Sequence, residues 1–89
     1  MPEVEVPSRY RGPTQGQHLI EVEGDSVRGC IDAVEARYPG FRELIFDARG
    51  DLRRFVRLFV NGDALAADAV DAPVGKRDRV QILAARAGG

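Results

Sequence analysis

The sequence predicts an α+β domain: a mixed five-strand sheet with one main helix packed on one face. Three observations carry this expectation. Short stretches of period-two alternation stand at both ends of the chain, at Glu3-Val4-Glu5-Val6 and Arg79-Val80-Gln81-Ile82-Leu83-Ala84. A single helical stripe, Val27, Cys30, Ile31, Val34 and Tyr38, lies between them at i, i+3, i+4, i+7 and i+11. Asn61-Gly62 sits between apolar runs, and both central positions of a type I′ turn favour φ > 0, so it reads as a hairpin.

Taken in order, Glu3 to Val6 is the first strand, with Val4 and Val6 facing inward. Gly12, Pro13 and Gly16 mark a loop. His18 to Glu23 alternates again and returns as the second strand, with Ile20 and Val22 buried. Asp25 or Ser26 then opens the helix, because either side chain can accept from the free N–H groups of the first turn. Gly29 inside the helix costs about 1 kcal/mol relative to alanine, which points to close packing there. Pro39-Gly40 ends the helix, and Phe41, Leu44, Ile45 and Phe46 form a short helical plug at one end of the core.

Arg54 to Val60 is the third strand, with Val56, Leu58 and Val60 toward the helix. Asp63 to Ala67 is a short fourth strand, Asp68 to Asp78 is polar and irregular, and Arg79 to Ala84 is the fifth strand. A single helical layer over such a sheet places the first and last strands side by side and parallel in its centre. Residues 1–85 make one domain and residues 86–89 a flexible tail, Arg86-Ala87-Gly88-Gly89. An unanchored glycine pair has the most backbone freedom to lose.

Composition bounds the function. A chain of 89 residues buries about 60% of its unfolded surface, which is enough for one small core. The net charge of −1 gives no general attraction to nucleic acid or membrane. No apolar run approaches the roughly 20 residues of a membrane span. The acidic, alternating N-terminus is unlike a signal peptide, and one cysteine cannot form an internal disulfide, so a cytoplasmic protein, monomeric when free, is expected. Of thirteen basic residues only Lys76 is a lysine.

No catalytic constellation is legible. His18 is alone, without a second histidine or cysteine at ligand spacing, and reads as a surface or structural residue. Cys30 lies on the apolar stripe and reads as a small hydrophobe. The run Lys76-Arg77-Asp78-Arg79 reads as a solvated turn. The outward sheet face is different. Alternation places Leu19, Phe55, Phe59 and Leu83 there, beside Glu3, Glu5, Glu21, Arg57 and Gln81. An uncovered apolar group of this kind is expected to be a partner surface. The last strand joins it directly to the tail, so a docked partner would receive Gly89 in a fixed direction.

The run Phe55-Val56-Arg57-Leu58-Phe59-Val60-Asn61-Gly62, then Asp78 to Ala84, then terminal Gly88-Gly89, resembles the ubiquitin-like sulfur carriers of the β-grasp fold. That family includes the molybdopterin synthase small subunit, the thiamine-pathway carrier and the actinobacterial cysteine-biosynthesis carrier. Pro13 to Gln17 and the helix through Tyr38-Pro39-Gly40 look most like the last of these. The resemblance implies a mechanism in which an E1-like enzyme uses ATP to adenylate the Gly89 carboxylate. A sulfur donor then displaces AMP to leave a thiocarboxylate, whose sulfur a second, acceptor enzyme uses in biosynthesis of cysteine, molybdopterin, thiamine or a secondary metabolite. Gly89 would be the reactive residue, Gly88 would give access, and Phe59, Phe55, Leu83, Arg57 and Arg86 would meet the partners. No cofactor would be bound, and the chain would be a co-substrate rather than an enzyme. The chain departs from the family where a proline and apolar residues often precede Gly-Gly, having Ala84-Ala85-Arg86-Ala87, and where an Asp-Gly-Asp turn often precedes the last strand, having Gly75-Lys76-Arg77-Asp78. Two other readings stay open at this point: a modifier conjugated to target lysines through Gly89, and an interaction domain whose tail does no chemistry.

Overall fold

The computed structural model describes residues 1–85. The sheet holds five strands in the order β2-β1-β5-β3-β4: β1 Glu3–Glu5, β2 Leu19–Glu21, β3 Val56–Val60, β4 Asp63–Ala64 and β5 Arg79–Ala84. β1 and β2 are antiparallel, as are β3 with β4 and β3 with β5, while β1 and β5 run parallel. The mixed sheet and its central parallel pair are as the sequence predicts. The single main helix α1, Val27–Arg37, covers one face, and a short turn of helix, α2, Arg42–Ile45, follows it.

The core lies between α1 and the sheet. Val4, Val6, Ile20, Val22, Val56, Leu58, Val80 and Ile82 enter it from the sheet side, while Val27, Cys30, Ile31 and Val34 enter from the helix. Phe41, Ile45 and Phe46 close one end, which matches the expected plug. Ser26 is the helix cap: its backbone is extended, and Gly29 N–H donates to its Oγ at 2.9 Å.

Three expectations need correction. The segment after β4 is irregular, but it is not merely polar. Val70 and Val74 are buried in the core, and the carbonyls of Ala72 and Val70 accept from Val27 N–H and Arg28 N–H. Those two donors are free ends of the helix, so the loop closes it. Phe55 belongs to the turn before β3, not to the strand itself. The close approach predicted at Gly29 is local, since an added Cβ would meet the Ser26 cap at 3.0 Å. The tertiary close approach is at Gly24, where a Cβ would lie 2.9 Å from both the nitrogen and Sγ of Cys30.

Candidate functional site

The outward face of the sheet is assembled by register. Leu19 stands opposite Glu5 on β1, Arg57 on β3 stands opposite Leu83 on β5, and Phe59 stands between Gln81 and Ala64. Leu83 is 50% exposed, Phe55 42% and Leu19 38%. Phe59, expected to be exposed with them, is half-buried. It sits on an inner strand with register partners on both sides, Gln81 and Ala64, where cross-strand neighbours reduce exposure. The apolar group is therefore Leu83 and Phe55 at one end of the sheet, with Leu19 on the edge strand.

That end is set by strand direction. β5 finishes at Ala84, and antiparallel β3 begins there, so the turn carrying Phe55 lies beside it. Ala85 N–H donates to Phe55 O at 2.6 Å, fixing the chain one residue past β5. Arg57 folds back along its own strand, its Nη1 donating to Arg54 O at 2.8 Å and Val56 O at 3.1 Å. Arg54 stacks on the Phe55 ring, 5.3 Å from its centroid. The predicted partner residues Phe55, Arg57 and Leu83 thus gather around the exit of β5, and Phe59 lies further back on the same face. Gly88, Gly89 and Arg86, the remaining predicted residues, lie outside the described residues.

The opposite end of β5 is held by polar contacts. Arg79 begins β5, as the strand reading predicts, and the rest of the basic run lies in the turn before it. Arg79 bridges Glu3 (Nη2 to Oε1, 3.1 Å) and Glu5 (Nη1 to Oε1, 3.6 Å) across the parallel pair. Asn61 has φ 52° and Gly62 φ 85°, as the predicted hairpin requires. The Asn61 side chain also receives Arg79 N–H and donates to Asp78 Oδ1, both at 2.9 Å. Gly62 N–H donates to Gln81 Oε1 at 2.7 Å. The Asp78 carboxylate accepts from Gly75 N–H at 2.7 Å, and this bond, then the Asn61 contact, holds its pKa below the usual carboxylate range.

Neither residue singled out as non-catalytic acquires a catalytic setting. Cys30 is fully buried, and burial first, then the nearby Asp25 charge, raises its thiol pKa. His18 is exposed and its carbonyl accepts from Val6 N–H. Among the described residues no cluster of histidine, cysteine or carboxylate side chains is arranged to hold a metal ion, and no helix is long and apolar enough to cross a membrane.

A small mixed sheet grasping one helix, with its last strand in the centre and leading toward a terminal glycine pair, is the ubiquitin-like β-grasp design. The chain belongs to the ThiS family, whose sequence model matches residues 4–89. No curated protein sequence matches it significantly. Among solved structures, it is similar to a chain of the BexX/CysO complex of Amycolatopsis orientalis, with 31% identity, all of both chains covered and a TM-score of 0.90. It is similar also to CysO of Mycobacterium tuberculosis, with 30% identity, 97% of this chain and 100% of that chain covered, and a TM-score of 0.88. Small archaeal modifier protein 1 of Methanosarcina acetivorans, 19% identical over 99% of this chain and 95% of its own, shares the fold with a TM-score of 0.80. The resemblance to ubiquitin-like sulfur carriers drawn from the sequence therefore holds, as does its lean toward the cysteine-biosynthesis branch.

Proposed function

We propose that this chain carries sulfur as a thiocarboxylate on Gly89. In the proposed cycle an E1-like enzyme binds the carrier, and an oxygen of the Gly89 carboxylate attacks the α-phosphorus of ATP, releasing pyrophosphate. The acyl-adenylate makes the carbonyl carbon electrophilic. A hydrosulfide-level sulfur nucleophile adds there, the C–O bond to AMP breaks with AMP taking the electron pair, and loss of a proton leaves the thiocarboxylate. An acceptor enzyme then uses that sulfur as its nucleophile. The chain supplies the handle and the docking surface, and its partners supply the catalysis. ATP is the activating enzyme's substrate, and the carrier needs no cofactor of its own.

The observation that carries this reading is the placement of β5. It is paired on both sides, it bears the exposed Leu83, and it fixes Ala85 against Phe55 just before the sequence runs into Arg86-Ala87-Gly88-Gly89. One strand thus joins the exposed surface to the sequence that holds the proposed reactive residue. Family membership supports it, and the relative found with BexX supports a protein partner. Of the pathways open to such a carrier, cysteine biosynthesis has the most support, from the likeness to two CysO structures.

The test is the intact mass of the protein isolated from its own host, and of the protein incubated with that host's activating enzymes, ATP and a sulfur donor. An oxygen-for-sulfur exchange localised to Gly89, and abolished by deleting Gly89, is the expected result. A carboxylate that stays unmodified with every such enzyme would overturn the proposal. Isopeptide conjugates that resist reductant would instead assign the chain as a modifier.

A further inference from the structure

We propose that the end of the sheet from which the tail leaves is a cationic collar, fitted to a partner protein whose tail-receiving mouth is lined with carboxylates. The proposal rests on the carrier reading in taking that partner to be the enzyme that handles Gly89.

The first observation is a segregation of charge. Two segments flank residue 85. Parallel β1 ends at Glu5, so the connection to β2, residues 7–18, lies at the same end as the finish of β5. Antiparallel β3 starts there, so residues 53–57 lie on the other side. The first segment contains Arg9 and Arg11 and the second Arg53, Arg54 and Arg57, and neither contains an aspartate or glutamate. The whole chain carries a net charge of −1, so these five arginines are a local excess. The opposite end mixes signs, with Glu3, Asp63 and Asp78 beside Lys76, Arg77 and Arg79.

The second observation is how the guanidinium groups are held. Elsewhere, three arginines are paired with carboxylates, Arg28 with Asp71, Arg42 with Asp32, and Arg79 with Glu3 and Glu5, while Arg37 donates to the Glu21 carbonyl. Around the exit, among the described residues, no arginine is in a salt bridge, although Arg53 lies near enough to the Asp47 carboxylate for its charge to act on it. Arg11 Nε donates to Val6 O, Arg53 Nε to Glu43 O and Arg57 Nη1 to main-chain carbonyls, while Arg54 stacks on Phe55. A carbonyl orients a guanidinium without cancelling its charge, and most of its five N–H donors stay available. Such groups are pre-organised for bidentate carboxylate contacts.

The third observation is the company they keep. Exposed Phe55 and Leu83 stand among the arginines. Arg53, Arg54 and Phe55 line one hollow of about 400 Å³, and Arg11, His18 and Leu19 line another of about 490 Å³ on the far side. The carboxylate facing the first, Asp47, accepts from Arg49 N–H and Asp51 N–H, and the one facing the second, Glu5, is paired with Arg79. Arginine and aromatic anchors beside apolar side chains make the composition of a protein interface. Charge contacts also speed encounter and still permit release, which suits a carrier that must leave after each transfer.

The test is chemical-shift mapping on the full-length chain with an oligoglutamate peptide as probe, at low salt and again at high salt. Shifts confined to residues 7–18 and 53–57, lost in high salt, are expected. Arg54→Glu, which removes the guanidinium stacked on the Phe55 ring, should weaken binding about tenfold. The pair Lys76→Glu and Arg77→Glu at the opposite end should leave it unchanged. Shifts centred on Lys76-Arg77, or spread evenly over the surface, would overturn the collar. Tighter binding of oligothymidylate than of oligoglutamate would also overturn it, assigning the arginines to nucleic acid. None of these readouts needs sulfur chemistry, so failure of the carrier reading and failure of the collar are told apart. With an activating enzyme in hand, Arg54→Glu should raise KM for the carrier and spare kcat, and an unchanged KM would also sink the proposal.

Discussion

At the scale of one residue, Gly24 has the least room for a side chain of the described glycines. Its missing side chain leaves room for the backbone nitrogen and Sγ of Cys30, both 2.9 Å from where a Cβ would sit. A nitrogen in the first turns of a helix cannot step aside as a flexible side chain can. Gly24→Ala should therefore destabilise the protein by about 1–3 kcal/mol, measured by urea denaturation, whereas Gly12→Ala, with nothing within 4 Å of the new Cβ, should cost far less. The sequence drew attention to Gly29 instead, because only a glycine inside a helical pattern looks anomalous. Gly24 lies between a strand and a helix, where glycine is ordinary, and the contact that requires it depends on how the chain folds back. The inward valines, Cys30 and a cap at Asp25 or Ser26 were legible because each follows from local periodicity or capping, and the structure decides for Ser26.

At the scale of elements, the turn before β5 and the β3–β4 hairpin act as one unit, joined by the Asn61 side chain. Its left-handed conformation was readable from Asn61-Gly62, but its bonds to Asp78 and Arg79, 17 and 18 residues away, were not. The same limit hid the role of Val70 and Val74, which stand in a segment without period. A pH dependence follows. The folded pKa of Asp78 lies below its unfolded value, so its contribution is present above roughly pH 4 and is lost as pH falls through the folded pKa. Thermal midpoints should drop on acidification through that window. Asp78→Asn should flatten the part of the drop due to this group, and an equal acid limb in wild type and variant would show that the carboxylate contributes nothing.

At the scale of the whole molecule, the two ends of the chain make the central pair of strands. The early alternation at Glu3 to Val6 and the late one at Arg79 to Ala84 contained this topology, since a single helix layer leaves few other ways to place them. What the sequence overstated was the openness of the sheet face. Phe59 alternates outward yet is half-buried, and Phe55 reaches the surface from a turn. Side-chain direction gives a face and not the cover over it. Because β1 lies between β2 and β5, removing residues 1–5 should not merely shorten the protein. It should abolish the fold, seen as loss of dispersed amide resonances, and a truncated chain that kept them would refute the central role of β1.

The parallel pairing of β1 and β5 also governs what happens under load. A force applied at Ala85 along the axis of β5 would load its pairing on both sides. The rungs to β1, from Glu3–Arg79 to Glu5–Gln81, and those to β3, from Val56–Ala84 to Val60–Val80, are then strained in shear, all together. They cannot open one at a time, as a zipper does. In the proposed carrier cycle the domain would serve as a mechanical anchor behind Ala85 while a partner engages the residues that follow.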